Sequence, residues 1–297
     1  MQRLKLSVIS TTQQRFKNFI SMNTASQKMG RIQSVFIEAQ LFYANNASPG
    51  LPDYLEKLDP EFRSVGYESI SMAIALKDFE TNNNLQQWQA FAKGPAIAYK
   101  AQVYIGLGWA VAKKEIDLLS IIHILEPLLL YRLADGCGYY DGTFRQRKTL
   151  VKQELPVYLP NYLLPVYYQG IGRSFWYLCK TGINNVCSKI ESFPSPIHED
   201  MWRGVGTAVA YVGGCDVETL NDIYFSAAEH RTQLGYGAAL AVKSRNDAGT
   251  FTTDTYHCFR HWFELLVNDE NIIPGVVYEN WINKVEEDFA KRFIRES

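Results

Sequence analysis

The chain has little of what would tie it to a particular chemistry. Its net charge is −1, from 30 Lys and Arg against 31 Asp and Glu, so no whole-chain field draws it to nucleic acid or to an anionic membrane. No apolar run approaches the roughly 18 residues that a membrane helix needs, and the apolar stretch around Arg3 and Lys5 is too short and too polar for a secretory signal. These absences predict a cytoplasmic protein with no nucleic-acid partner and no integral membrane segment. Five cysteines (Cys137, Cys179, Cys187, Cys215 and Cys258) form no C-x-x-C pair, which argues against a disulfide framework and structural zinc. Neither the G-x-S-x-G of serine hydrolases nor a P-loop occurs.

Present instead are 18 Tyr, 16 Phe and 6 Trp, together with 20 Gly. Many of the glycines fall in a recurring phrase: Gly106-Leu-Gly108-Trp-Ala110, Gly170-Ile-Gly172-Arg-Ser174, Gly204-Val-Gly206-Thr-Ala208 and Gly235-Tyr-Gly237-Ala-Ala239. A looser copy is Gly136-Cys-Gly138, and a degenerate one is placed at Gly66. The intervals from 66 through 106, 136, 170, 204 and 235 are 40, 30, 34, 34 and 31 residues, the period of repeats built from one supersecondary unit.

On a helix, small residues at i and i+2 lie on opposite sides and admit close neighbours on both. On a strand they would share one face, with glycine weakening the strand. Apolar stretches at helical spacing after the phrases, 114–125 and 216–228, favour the helix. The expected fold is therefore mainly α: five to six stacked helical hairpins over residues 51–297, an α-solenoid or α/α toroid-like arrangement. Residues 1–50 form a basic N-terminal arm and leading helix. Asp135–Phe144, with three glycines, reads as a loop or a helix start with special backbone geometry. The Pro-punctuated stretch 145–166 is a lid or packing, Asn268–Asn271 a turn, and Val276–Arg295 a closing cap helix.

The blocks Tyr104–Ala110, Leu133–Phe144, Gln169–Trp176, Asp200–Gly206 and Gln233–Ala239 resemble the bacterial UnbL-like family, a family of unknown function found in enediyne polyketide gene clusters and in other bacteria. The resemblance implies specialised metabolism of lipid-like or polyene compounds, with no mechanism attached.

The polar residues within these apolar phrases are the candidate site. Charges among small and aromatic residues are costly to bury unless paired, so Asp–Arg pairs between successive repeats are one reading. The other brings Asp135, Arg173, Asp200 and Arg203 to one concave surface. There Asp135, Asp141 and Asp200 are candidate acids. Tyr139, Tyr140, Gln169, Arg173, Trp176, Trp202, Arg203 and Gln233 are candidate ligand contacts, with aromatic faces stabilising a developing cation. Of these, Asp200 and Arg203 are expected to mark the working site. His257, His261 and Glu264 share a helical face, yet lack the glutamate that follows the first histidine in metalloprotease helices, so no metal is assigned and the cofactor is left open. Asp254-Thr255 faintly resembles the acid motif of class II terpene cyclases. The two function classes are a binder or converter of a hydrophobic small molecule in an aromatic pocket, and a helical-repeat scaffold for a biosynthetic partner protein.

Overall fold

The computed structural model describes residues 24–45 and 50–270. The arm ahead of residue 24 and the expected closing helix Val276–Arg295 lie outside them. The described residues form twelve α-helices and no strand: α1 (Thr24–Asn45), α2 (Leu51–Glu56), α3 (Pro60–Thr81), α4 (Gln86–Lys93), α5 (Lys100–Lys114), α6 (Leu130–Phe144), α7 (Leu164–Leu178), α8 (Ile183–Glu191), α9 (His198–Val212), α10 (Val217–Ser226), α11 (Arg231–Asp247) and α12 (Thr253–Glu270). Six of the longer ones, α3, α5, α6, α7, α9 and α11, stack side by side in chain order. Shorter helices and 3-10 turns return the chain from the end of one to the start of the next.

The glycine phrases explain the stack. A Cβ on Gly106, Gly136, Gly170, Gly204 or Gly237 would collide with the carbonyl oxygen of Glu68, Ile105, Asp135, Gln169 or Arg203, each on the preceding stack helix. A Cβ on Gly108, Gly138, Gly172 or Gly206 would collide with the carbonyl of Leu133, Tyr167, Met201 or Leu234 on the following one. Helices α5, α6, α7 and α9 are thus gripped backbone to backbone on both sides, where Cα–H groups face carbonyls.

This geometry corrects the phase of the end units. In α11 the glycine that meets the preceding helix is Gly237, the second of its phrase. In α3 the phrase is Ser69-Ile-Ser71, not Gly66, which packs instead on Leu55 and Leu58. Ser69 Oγ donates to Phe36 O of α1 (2.6 Å) and Ser71 Oγ to Val103 O of α5 (2.5 Å). A hydroxyl here does by hydrogen bonding what glycine does elsewhere by close approach.

Gly138 lies against Tyr167 and Gly170, and Gly142, further along, against Ile171 and Ser174, so neighbours run parallel. Small-residue packing crosses helices at about 40° per step, and four steps nearly reverse the direction. Contacts between helices four steps apart fit this reversal. The Tyr211 hydroxyl near the end of α9 meets Ser64 Oγ near the start of α3 (2.5 Å), and Gln102 at the start of α5 donates to Ser244 Oγ at the end of α11 (2.9 Å). Arg245 donates to Glu61 O (2.9 Å), and Lys28 joins Glu61 (2.7 Å) to Asp254 (2.7 Å), clasping α1, α3 and α12. Asp254 is therefore part of this clasp.

Three local expectations change. Asp135–Phe144 lies within the regular helix α6, because its glycines serve close packing and none has positive φ. Residues after Lys114 form 3-10 turns, not a second long helix. The helix α12 continues through Glu270, past the expected turn at Asn268.

Candidate functional site

Within each phrase the residue before the first small residue and the residue three after it are four apart, so they share one helical face. Along the stack these are Glu68 and Met72, Ile105 and Trp109, Asp135 and Tyr139, Gln169 and Arg173, and Arg203 and Thr207. This inner face holds a connected polar-aromatic network. Arg173 Nη2 lies 2.7 Å from Asp135 Oδ1, and Gln169 Nε2 donates to Asp135 Oδ2 at 2.8 Å. The guanidinium sits 4.6 Å over the Tyr139 ring, within cation–π range. Tyr139 stacks on Trp109 (5.0 Å), Trp109 on Phe36 (4.6 Å), and Tyr177 meets Tyr139 edge-on (5.5 Å).

Glu68 enters this network from α3, on the far side. Its carboxylate makes no hydrogen bond or salt bridge among the described residues. Burial pushes its pKa up to about 7 against the pull of Arg173, with Asp135 adding to the rise. Burial also lifts the Tyr139 and Tyr177 phenols, Arg173 opposing it in both. Burial alone would lower Arg173, but Asp135 and Glu68 beside it hold its pKa above the ordinary value. Two carboxylates thus share one guanidinium. Asp135 has the short contact and Glu68 is left over.

Of the candidates read from sequence, Asp135, Tyr139, Gln169 and Arg173 come together here. Asp200, Arg203 and Gln233 form a second group, in which Arg203 Nε donates to Gln233 Oε1 (2.9 Å) and Arg203 Nη1 lies 3.5 Å from Asp200 Oδ1. Asp200 also lines a cleft of about 520 Å³ between the starts of α7 and α9, with Tyr162, Pro165, Tyr168 and Glu199. Asp141 faces away from Asp135, six residues earlier on the same helix. Its Oδ2 accepts from Tyr158 (2.6 Å) and Tyr167 (3.0 Å), pinning the 145–163 connection, and burial raises its pKa. Tyr140 lies edge-on to Trp109 (6.1 Å). Trp176 and Trp202 are buried in the packing. Arg245, fully buried, donates to Tyr211 O, Glu61 O and Thr250 O.

The His261 ring is hydrogen-bonded to Asn221 Oδ1 (2.8 Å), and Glu264 accepts from Arg260 (2.6 Å). No cluster of three potential metal ligands occurs among the described residues. Glu68 and Tyr177 were not singled out by sequence reading. The signal for Glu68 was present: aligning Ser69-Ile-Ser71 with the glycine phrases puts it in register with Asp135, Gln169 and Arg203.

A family model described as a protein of unknown function (DUF1702) matches residues 2–274. No curated protein and no solved structure matches the chain.

Proposed function

Because the chain belongs to this family of proteins of unknown function (DUF1702), we propose its function from its own inner face: it binds a largely apolar, unsaturated small molecule there and converts it by proton transfer. The observation that carries this reading is Glu68, a carboxyl without a hydrogen-bond or ion-pair partner among the described residues, whose pKa burial pushes up to about 7 within electrostatic reach of the Asp135–Arg173 pair, Tyr139 and Tyr177. A general acid works best when its pKa lies near the working pH. The protonated Glu68 gives its proton to a carbon of a double bond, and the aromatic faces stabilise the resulting cation. The carboxylate then takes a proton from a neighbouring carbon, so the net change is an isomerisation or cyclisation that needs no co-reactant. Asp135 is held by Arg173 and Gln169, so its role is to orient the guanidinium. A polyene or lipid-like substrate of specialised metabolism, as in enediyne-type clusters, fits this face, and the chemistry would run in the cytoplasm.

The test is mass spectrometry of small molecules extracted from the purified protein and from Glu68→Gln. The expected result is an unsaturated, mostly apolar compound in both, with the variant carrying an isomer of the wild-type compound. A wild-type protein that carries no small molecule but a stoichiometric partner protein would favour the scaffold reading. That second reading draws on the exposed Leu119, Val151, Leu155 and Val157.

A further inference from the structure

The side chains at 109 and 113 of α5 are one turn apart on one side of the helix. Trp109 belongs to the aromatic row, so Lys113 continues that row toward the C-terminal end of α5. The adjacent Lys114 is exposed and closes a salt bridge to Glu80 (3.0 Å). Lys113 is drawn in: it is half-buried, and its ammonium makes no hydrogen bond or salt bridge among the described residues. The carboxylates nearby are committed elsewhere, Glu80 to Lys114 and Glu115 to both Arg145 (2.7 Å) and Lys148 (2.9 Å). Burial lowers the Lys113 pKa, Lys114 lowers it further, and Glu80 opposes both.

The equivalent position on the next stack helix is Thr143, seven residues after Gly136 as Lys113 is seven after Gly106. Thr143 Oγ1 is buried without a hydrogen-bond partner among the described residues. The same layer holds Leu76 of α3 and Tyr177 of α7. Buried hydroxyls are normally satisfied, and an ammonium on a half-buried stem, still in reach of solvent, is open to an anionic ligand. Two donors without partners among the described residues, in one layer beside an aromatic row, offer an ammonium and a hydroxyl to an oxyanion.

We propose that Lys113 and Thr143 hold an oxyanion, a carboxylate or phosphate, at the end of the ligand opposite to the end that meets Glu68. Glu68 is in register with residue 105, and the eight residues from 105 to 113 rise about 12 Å along the helix. The anchored ligand therefore reaches that far from its anionic group to the carbon that exchanges a proton. This inference rests on the ligand-binding reading above and adds to it the charge and direction of the ligand.

The probes are parinaric acid, a fluorescent conjugated tetraene with a carboxylate, and its uncharged methyl ester. Wild-type protein is expected to bind the acid roughly tenfold more tightly than the ester, the size of one charge-assisted hydrogen bond. Lys113→Gln should bring that ratio near one while leaving ester affinity and the thermal midpoint unchanged. Lys113→Arg should keep the preference, and Thr143→Val should reduce it a few-fold. An unchanged ratio in Lys113→Gln would overturn the anchor. Equal binding of acid and ester by wild type would overturn it while leaving the apolar site in place, and failure of both probes to bind would overturn the site and the anchor together. Dodecyl phosphate and dodecanoate as competitors separate the two sources of the oxyanion, the stronger competitor naming the group.

Discussion

Burial lifts the Glu68 carboxyl from its ordinary 4.5 to about 7. The folded chain therefore keeps a proton that the unfolded chain releases, and the sign follows from linkage: stability falls as pH rises from about 4.5 to 7 and stays lowered above that. The shift corresponds to a cost on the order of 3 kcal/mol at alkaline pH. Glu68→Gln, which has no charge to bury, is predicted to be more stable than wild type at pH 8 by about 1 to 3 kcal/mol, the gain shrinking toward pH 5. Thermal melts of both proteins at the two pH values check this. A variant less stable at pH 8 would show the carboxylate to be a structural partner. A residue that weakens the fold and is nevertheless present is what a working acid looks like, since activity and stability trade against each other.

At the scale of the helix, two glycines give opposite predictions. Gly204 faces Gln169 O and Arg173 N of the neighbouring backbone, which cannot move aside as a side chain can. Gly204→Ala is predicted to cost about 3 kcal/mol or more, at the upper end of overpacking. Gly30 lies inside α1 with nothing among the described residues within 4 Å of an added Cβ. Gly30→Ala should stabilise by up to about 1 kcal/mol, by lowering the entropy of the unfolded chain. Denaturant midpoints of the pair separate glycine as a packing device from glycine as a mere lapse in helix propensity. The spacing of small residues made this packing legible in advance, because opposite faces at i and i+2 are a local property of any helix. The start of the stack was harder to read, since Ser69 and Ser71 replace glycine and the match is one of role.

For the whole molecule, closure depends on Arg245. It is fully buried, its guanidinium lies 4.1 Å over the Tyr211 ring, and it donates to carbonyls at Tyr211, Thr250 and Glu61, the last of them 184 residues away at the start of α3. Replacing it with Leu would leave three carbonyls without their donor. We predict a loss of about 3 kcal/mol or more and, because the two ends of the stack are released from each other, a shallower urea transition with a smaller slope. A loss below about 1 kcal/mol with an unchanged slope would mean that the neighbour-to-neighbour stack holds without this closure.

The sequence by itself determined that the fold is a helical stack: helices and their close contacts follow from small residues at fixed spacing, and from apolar residues enough to bury them. It also supplied the polar residues of the inner face, Asp135, Gln169 and Arg173 among them. Which of them would be paired and which left over was decided only by tertiary structure. Asp135 and Asp200 both have an arginine within reach, yet Asp135 meets Arg173 of the next helix, whereas the Asp200 contact is with Arg203 of its own. The register of Ser69-Ile-Ser71 places Glu68 on the inner face, but that it stands apart from Arg173 is a fact about partners more than sixty residues away. A side chain's charge state depends on what surrounds it in space, and the turning of the stack, summed over successive crossings, is what brings α3 to face α7.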